Sequence, residues 1–440
     1  MIKRKNFIFY LFCFYLFIFN NVYAKSLKIS IYGPAQHKVN IFVADPVILN
    51  KSGVISNEIA KLKLSFISKL KLFPFLNIVK KENVLDKGKI QYIDLPKLDL
   101  KKFFLSQVDI LITIGINFKE NTLGRVELRA FDVFQRKMFL GQAFELENSQ
   151  QIELVVRQFS AALLKQFIGK DAFFKNPIVF VSKSKNSSSI YQVFADGFGL
   201  KRLFEVKGIA VSPCWSFDGR KIVFSVIQDR RHKLGVFDLD TQKINYKKLP
   251  GNTCISPVFT PFGDIAVSLD LNGNPDIYLL DKNFKIKKTL VEHWGIDISP
   301  FFDKQGDKMV FTSSRLGNPH IFLWQKNGEE IKRITYDGKY NTSAVISPDG
   351  RLVVFSRLTP TGHRIFVYDL LYDIEKQITF GPGNDEEPFV SLDGYFVVFV
   401  SNRDGKYKLY YTTINGDGPY LIPTKGIEVF SPAWSWVKAH

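Results

Sequence analysis

At 440 residues the chain exceeds one ordinary compact core, and 46% hydrophobic with 23% charged residues excludes a disordered or collagen-like polymer. Its 42 phenylalanines and 17 tyrosines favour strands. The formal charge of +18 comes from basic residues scattered one or two at a time, without a basic helix, zinc-ligand spacing or aromatic RNA-binding signature, so nucleic acid is not indicated as a partner.

Lys3, Arg4 and Lys5 precede an apolar run from Phe7 to Phe19, and Val22 and Ala24 supply the small residues a signal peptidase reads. The run is too short to span a bilayer, so residues 1–24 read as a signal peptide cleaved between Ala24 and Lys25. Cys13 falls inside the run, without a lipoprotein signal around it. The mature chain carries no other stretch of membrane-spanning length. It would be exported, and only Cys214 and Cys254 would remain in it. They occupy different offsets in successive repeats, and buried free thiols are expected rather than a disulfide.

Residues 25–168 read as a small α/β domain with a mixed sheet. Strand-like SLKISIY and VNIFVADP come first. A helix over 57–72 follows, with Ser56 as N-cap and Ile59, Leu62, Phe66, Ile67 and Leu70 on one face. Strands DILITIGINFK, GRVELRAFDVF and KMFLGQAFEL lead to a second helix over 149–168, whose apolar stripe runs from Ile152 to Phe167 and which Gly169 stops. A linker is placed at residues 169–176.

From residue 177 the pattern repeats. IVFVS, IVFSV, IAVSL, MVFTS, VVFSR and VVFVS place Phe180, Phe224, Val267, Phe311, Phe355 and Phe399 in register, 44, 43, 44, 44 and 44 residues apart. A second set of strands beginning at Ile190, Leu234, Ile277, Ile321, Ile365 and Leu409 keeps the same spacing. Short strands at this period indicate a β-propeller of four-stranded antiparallel blades. Asp218-Gly219, Asp349-Gly350 and Asp393-Gly394 mark tight turns, with positive φ expected at both turn centres. The strand preceding each phenylalanine reads SPCWS, SPVFT, SPFFD, SAVIS and EPFVS at 212, 256, 299, 343 and 387, and the blade beginning at Asn176 lacks one. The sixth copy is SPAWSW at 431–436. A ring must close, so this last strand is expected to complete the first blade of a six-bladed propeller.

No GxSxG elbow, HExxH helix, CxxC pair or phosphate loop occurs. The Ser/Lys pattern from Ser68 to Lys71 falls on the charged face of the first helix. Asp270, Asn272, Asn274, Asp276 and Asp281 resemble a calcium loop, but Pro275 replaces its glycine and the repeat places them at an ordinary turn between strands. The loops entering the first strands hold a cluster: His293, Trp294 and Asp297, Tyr340 and Asn341, then Asn384, Asp385, Glu386 and Glu387. Turn chemistry, a protein-binding face and the metal site of a lactonase-like six-bladed hydrolase are all open readings of that cluster.

With the leader, the α/β domain, the SPxWSxDGxxIxFxS repeats and the terminal SPAWSW in this order, the chain resembles the TolB family over essentially its whole length. The resemblance implies a periplasmic, non-enzymatic and monomeric adaptor of the Tol-Pal system. Such an adaptor links TolA to the peptidoglycan-associated lipoprotein, Pal, in support of outer-membrane integrity and constriction at division, without a cofactor. It implies TolA binding by residues 25–36, through Lys25, Leu27, Ile29, Ile31 and Tyr32. It implies Pal binding at the propeller mouth, through Asn252, Thr253, His293, Asp297, Tyr340, Asn341, Asn384, Asp385 and Glu386. GNTCISP stands where a basic residue or histidine is expected, and Phe262 and Gln305 replace the repeat's usual aspartate.

Overall fold

The β-branched and aromatic run VNIFV forms β1 (Val39–Val43), the start of the α/β domain in a computed structural model that describes residues 38–50, 56–119, 122–327 and 330–438. The signal segment, the cleavage site and the first expected strand lie outside the described residues. Five further strands complete one sheet: β2 (Val47–Ile48), β3 (Leu76–Ile78), β4 (Ile110–Lys119), β5 (Thr122–Asp132) and β6 (Lys137–Glu145). Its order is β3-β1-β4-β5-β6, with β2 also on β4. The pairings of β1 with β3 and β4 are parallel, and those of β5 with β4 and β6 are antiparallel. The sheet is mixed, as its sequence suggested.

Helix α1 (Ser56–Leu70) starts at Ser56 itself, and α2 (Lys101–Leu105) is a short turn of helix. The second long helix, α3 (Ile152–Ile168), begins three residues later than its stripe suggested, because Ser149–Gln151 winds as a 3-10 turn. Leu62, Phe66 and Leu70 of α1 and Val156, Phe159 and Leu163 of α3 are buried in one core with the sheet. Each such side chain contributes about 2–3 kcal/mol when fully removed from water. Gly169, at φ 77°, ends α3 and donates its N–H to the Lys165 carbonyl at 3.0 Å. The stretch expected as a linker is itself packed. It forms α4 (Ala172–Lys175), with Ala172, Phe173 and Phe174 buried.

Six four-stranded sheets follow, and the sixth joins Phe430–Trp434 to three strands from the start of the repeat region. Trp434 lies opposite Ile178 in that pairing, and its indole donates to the Asn176 carbonyl at 3.0 Å. The Asn176 amide returns a bond to the Ser435 carbonyl at 3.0 Å. The last strand therefore closes the ring and fastens the interdomain junction together.

Each inner strand carries a bulge at the same register position, where five of the six strands place a proline that has no N–H to give to the ladder and the fourth has Ala344. Ser212, Ser256, Ser299, Ser343, Glu387 and Ser431 occupy the bulges with φ between 47° and 59°. The aspartate-glycine turns differ from expectation. Only Gly219, Gly350 and Gly394 take positive φ, while Asp218, Asp349 and Asp393 accept hydrogen bonds from Ser216, Ser347 and Ser391. The aspartate serves as a hydrogen-bond acceptor there, not as a left-handed residue.

The α/β domain sits on the face of the propeller where first strands end. Phe173 packs on Phe396, Tyr411 and Trp434, and Phe75 on Tyr395. Arg157 of α3 reaches Asp196 of the propeller at 2.7 Å and the Phe174 carbonyl at 2.6 Å, and Lys69 joins the same carboxylate at 3.0 Å. The opposite face, where first strands begin, carries the loops singled out in the sequence.

Candidate functional site: the channel mouth

The six bulges converge on a central cavity of about 120 Å³, lined by the serines, prolines and the residues after them. Glu387 interrupts the serine ring. Its carboxylate accepts both the backbone N–H and the hydroxyl of Ser431, at 2.6 and 3.0 Å, and burial pushes its pKa up. Toward the α/β domain the channel is stopped. Trp436 meets Phe217, Phe301 and Phe389 edge to face and donates to the Val390 carbonyl at 3.0 Å.

The inner strands Asp297–Phe302, Asn341–Ile346 and Asp385–Val390 each begin with a polar residue of the predicted cluster, and all three of those residues are fully buried. Arg315 donates to both carboxylate oxygens of Asp297 at 3.1 and 3.0 Å. Arg403 donates to Asp385 at 2.7 Å. Arg357 donates to Asn341 at 2.7 Å and pairs with Glu375. Asp297, Asn341 and Asp385 therefore do not present themselves to a partner, contrary to the role the resemblance gave them. They hold the mouth loops from beneath. An arginine eighteen positions after each aspartate (Asp297 to Arg315, Asp385 to Arg403) was the available signal for these pairs.

The other predicted residues are more accessible. Asn252 and Tyr340 are exposed; Thr253, His293, Asn384 and Glu386 are half-buried. Asn384 accepts the His363 backbone N–H at 3.0 Å. Glu386 accepts the Tyr407 hydroxyl at 2.6 Å, which with burial pushes that phenol up to about 12, and it faces His363 at 3.9 Å. Asp276, buried beneath the next loop, accepts the His293 N–H at 3.1 Å. Desolvation, reinforced by Asp297 and Glu292, pushes its carboxyl up to about 6. His320 is shifted the other way, by burial and by Arg333 and Arg357, and stays neutral at pH 7.

Aromatic exposure is the part that the sequence left unread. Trp294 is 69% exposed and Phe380 61%, and Tyr336, Tyr340, Ile296, Leu316 and Leu358 are exposed on the same face. Fully buried Arg364 ties the loop beneath Phe380 in place, donating to the Gly381 and Gly383 carbonyls and to Thr361 and His363. A rim of rings on a rigid polar frame suits binding of a folded surface. Both carboxylate oxygens of Asp297 are bonded to Arg315, and one oxygen of Asp385 is bonded to Arg403. Among the described residues, no three histidine, cysteine, aspartate or glutamate side chains converge as a metal cage. Cys214 and Cys254 are buried and unpaired, and burial raises both thiols to about 12.

Comparison with known proteins places these features. The family model of the TolB β-propeller domain matches residues 164–438. "Tol-Pal system protein TolB" from Nitratidesulfovibrio vulgaris is 36% identical over 294 residues, which are 67% of this chain and 66% of that protein. "Protein TolB homolog" from Chlorobium chlorochromatii is 32% identical over 187 residues, 42% of each chain. The matched stretches thus take in less than two thirds of these relatives' lengths. The crystal structure of TolB from Acinetobacter baumannii superposes with a TM-score of 0.75 at 20% identity, covering 91% of this chain and 97% of that one, which shows a common fold. Matched through its whole propeller, with one copy of the repeat placed last to close the ring, the chain belongs to the TolB family.

Proposed function

We propose that this protein is a periplasmic, non-enzymatic adaptor of the Tol-Pal system that joins TolA to Pal. The observation that carries the reading is the solvent-open mouth, whose exposed rings rest on buried arginine pairs at the face opposite the α/β domain. The names of the curated relatives support membership of that system. Pal is received at the mouth by the accessible residues Asn252, Thr253, His293, Tyr340, Asn384 and Glu386, with Trp294 and Phe380 as aromatic anchors. Asp297, Asn341 and Asp385 position them.

At the other end, residues 25–36 engage TolA after cleavage at Ala24, Lys25 becoming the first residue. Its alternating Leu27, Ile29 and Ile31, followed by Tyr32, fit addition of one strand to an exposed sheet edge. The adaptor acts as a monomer in envelope integrity and constriction. No helix among the described residues is long and apolar enough to cross a membrane. The test is co-purification of the tagged mature chain from the envelope. Capture of Pal and TolA together, with TolA lost when residues 25–36 are deleted and Pal lost when the mouth rings are replaced, is the expected result. Capture of neither partner overturns the reading.

A further inference from the structure

The spacing of 43 residues between Phe224 and Val267, one short of the others, has a local origin in the turn after the first strand of the second repeat. In the first repeat that turn is closed by Ser216 N–H to the Lys221 carbonyl, five residues on, at 2.8 Å. In the second it is closed by Thr260 N–H to the Asp264 carbonyl, four residues on, at 2.8 Å. The shortened turn also lacks the aspartate. Where Ser216, Ser347 and Ser391 donate to Asp218, Asp349 and Asp393, Thr260 has Phe262 at the acceptor's position. The Thr260 hydroxyl is left buried without a hydrogen-bond partner, in a residue only 5% exposed. Such a group costs about 1–3 kcal/mol unless something satisfies it.

This hydroxyl borders a cavity of about 410 Å³ between the first two complete blades, on the face opposite the mouth. Phe217, Phe262 and Phe284 form apolar walls, and Phe262 stands 62% exposed where the corresponding turns have Asp218, Gln305, Asp349 and Asp393. Lys221 and Lys282 bring ammonium groups to the cavity. Asp218 also lines it, with its carboxyl held below the ordinary range by the Ser216 hydroxyl and by Arg220 and Lys221, so it offsets one of these charges. Lys326 lies 5.0 Å from the Phe262 ring and adds to the positive field. The hydrogen bonds and ring contacts of the α/β domain and the stretch after it include Asp196, Phe194, Phe198, Leu392, Tyr395, Phe396, Tyr411 and Trp434, none of which lines this cavity.

We propose that this inter-blade cavity is a binding site for a small organic anion with a flat apolar body, an aromatic carboxylate in its simplest form. The phenyl walls take the flat body, while Lys282 and Lys221 pair with the carboxylate. The Thr260 hydroxyl donates to one of its oxygens and so recovers the acceptor that the turn has lost. The volume falls within the range of small-molecule sites, roughly 300–1,000 Å³.

Titration of the mature chain with 2-naphthoate, followed by calorimetry and by ligand-observed NMR, tests this. Saturable one-to-one binding is expected, with neutral 2-naphthamide at least about tenfold weaker. Phe262→Asp restores the aspartate, satisfies Thr260 and removes a wall. It is expected not to lower the melting temperature and to weaken 2-naphthoate by about tenfold or more, and Lys282→Gln is expected to weaken it while leaving 2-naphthamide unchanged. Absence of saturable binding to the wild-type chain, equal binding of the amide, or an Lys282→Gln protein that binds 2-naphthoate undiminished would each overturn the proposal.

Discussion

At the mouth, three of the inner strands begin with buried carboxylates or an amide bonded to arginines, and aromatic rings of the neighbouring loops are exposed. At the other end of the same strands the rings turn inward, where Trp436 caps the channel and Trp434 holds the junction to the α/β domain. The propeller thus uses aromatic area for cohesion at one end of its inner strands and leaves it exposed at the other. Substitutions at the closed end should therefore register as lost stability. Those on the mouth rim should register as lost binding, and those in the frame beneath the rim as both.

The largest effect is expected from truncation after residue 429, which removes Phe430–Trp434 and leaves the closing blade with three strands. Thermal unfolding should then show loss of the cooperative propeller transition rather than a small shift. A wild-type melting temperature would break the closure account. Next comes Trp434→Ala, which removes a fully buried ring and its hydrogen bond to Asn176 and should cost about 3–5 kcal/mol in denaturant unfolding.

Asp385→Ala leaves the half-buried Arg403 guanidinium without its carboxylate and should cost about 2–3 kcal/mol, which makes it an unsuitable probe of binding alone. Trp294→Ala, on the rim, should leave the melting temperature unchanged and weaken Pal by about 2 kcal/mol or more. The smallest effect concerns Asp276. Its folded pKa, pushed up to about 6, lies above the ordinary aspartate value of 3.8, so the native state binds more protons between those pH values and loses stability as pH rises through them. Asp276→Asn keeps an acceptor for the His293 N–H. It should therefore stabilise the protein by about 1 kcal/mol at pH 7.5 and have little effect at pH 3.5, as read by melting curves at the two pH values.

The ring was legible in the sequence because its closure depends on counting. Six phenylalanine-type positions against five preceding SPxW strands left one vacancy, and the terminal SPAWSW filled it. The helical stripes were legible for the same reason, since burial imposes period on local sequence. The site was legible only in part. The loops could be placed on one face from the repeat, but polar residues at a strand start look alike whether they face water or an arginine eighteen positions away. Asp297 and Asp385 were therefore read as contact residues when they are buried struts. Exposure of Trp294 and Phe380 was illegible, because elsewhere in this chain the same residue types fill the core. The 43-residue spacing and Phe262 were both visible, and only the three-dimensional turn showed that they are one event.

The central claim is that the mouth rim binds and the frame beneath it supports. Calorimetric titration of purified Pal into the mature chain and into the Trp294→Ala/Phe380→Ala double variant, with melting curves of both, tests it most directly. The account predicts tight binding by the first, loss of at least about a hundredfold in affinity by the second, and the same melting temperature for both. Undiminished affinity in the double variant would contradict it.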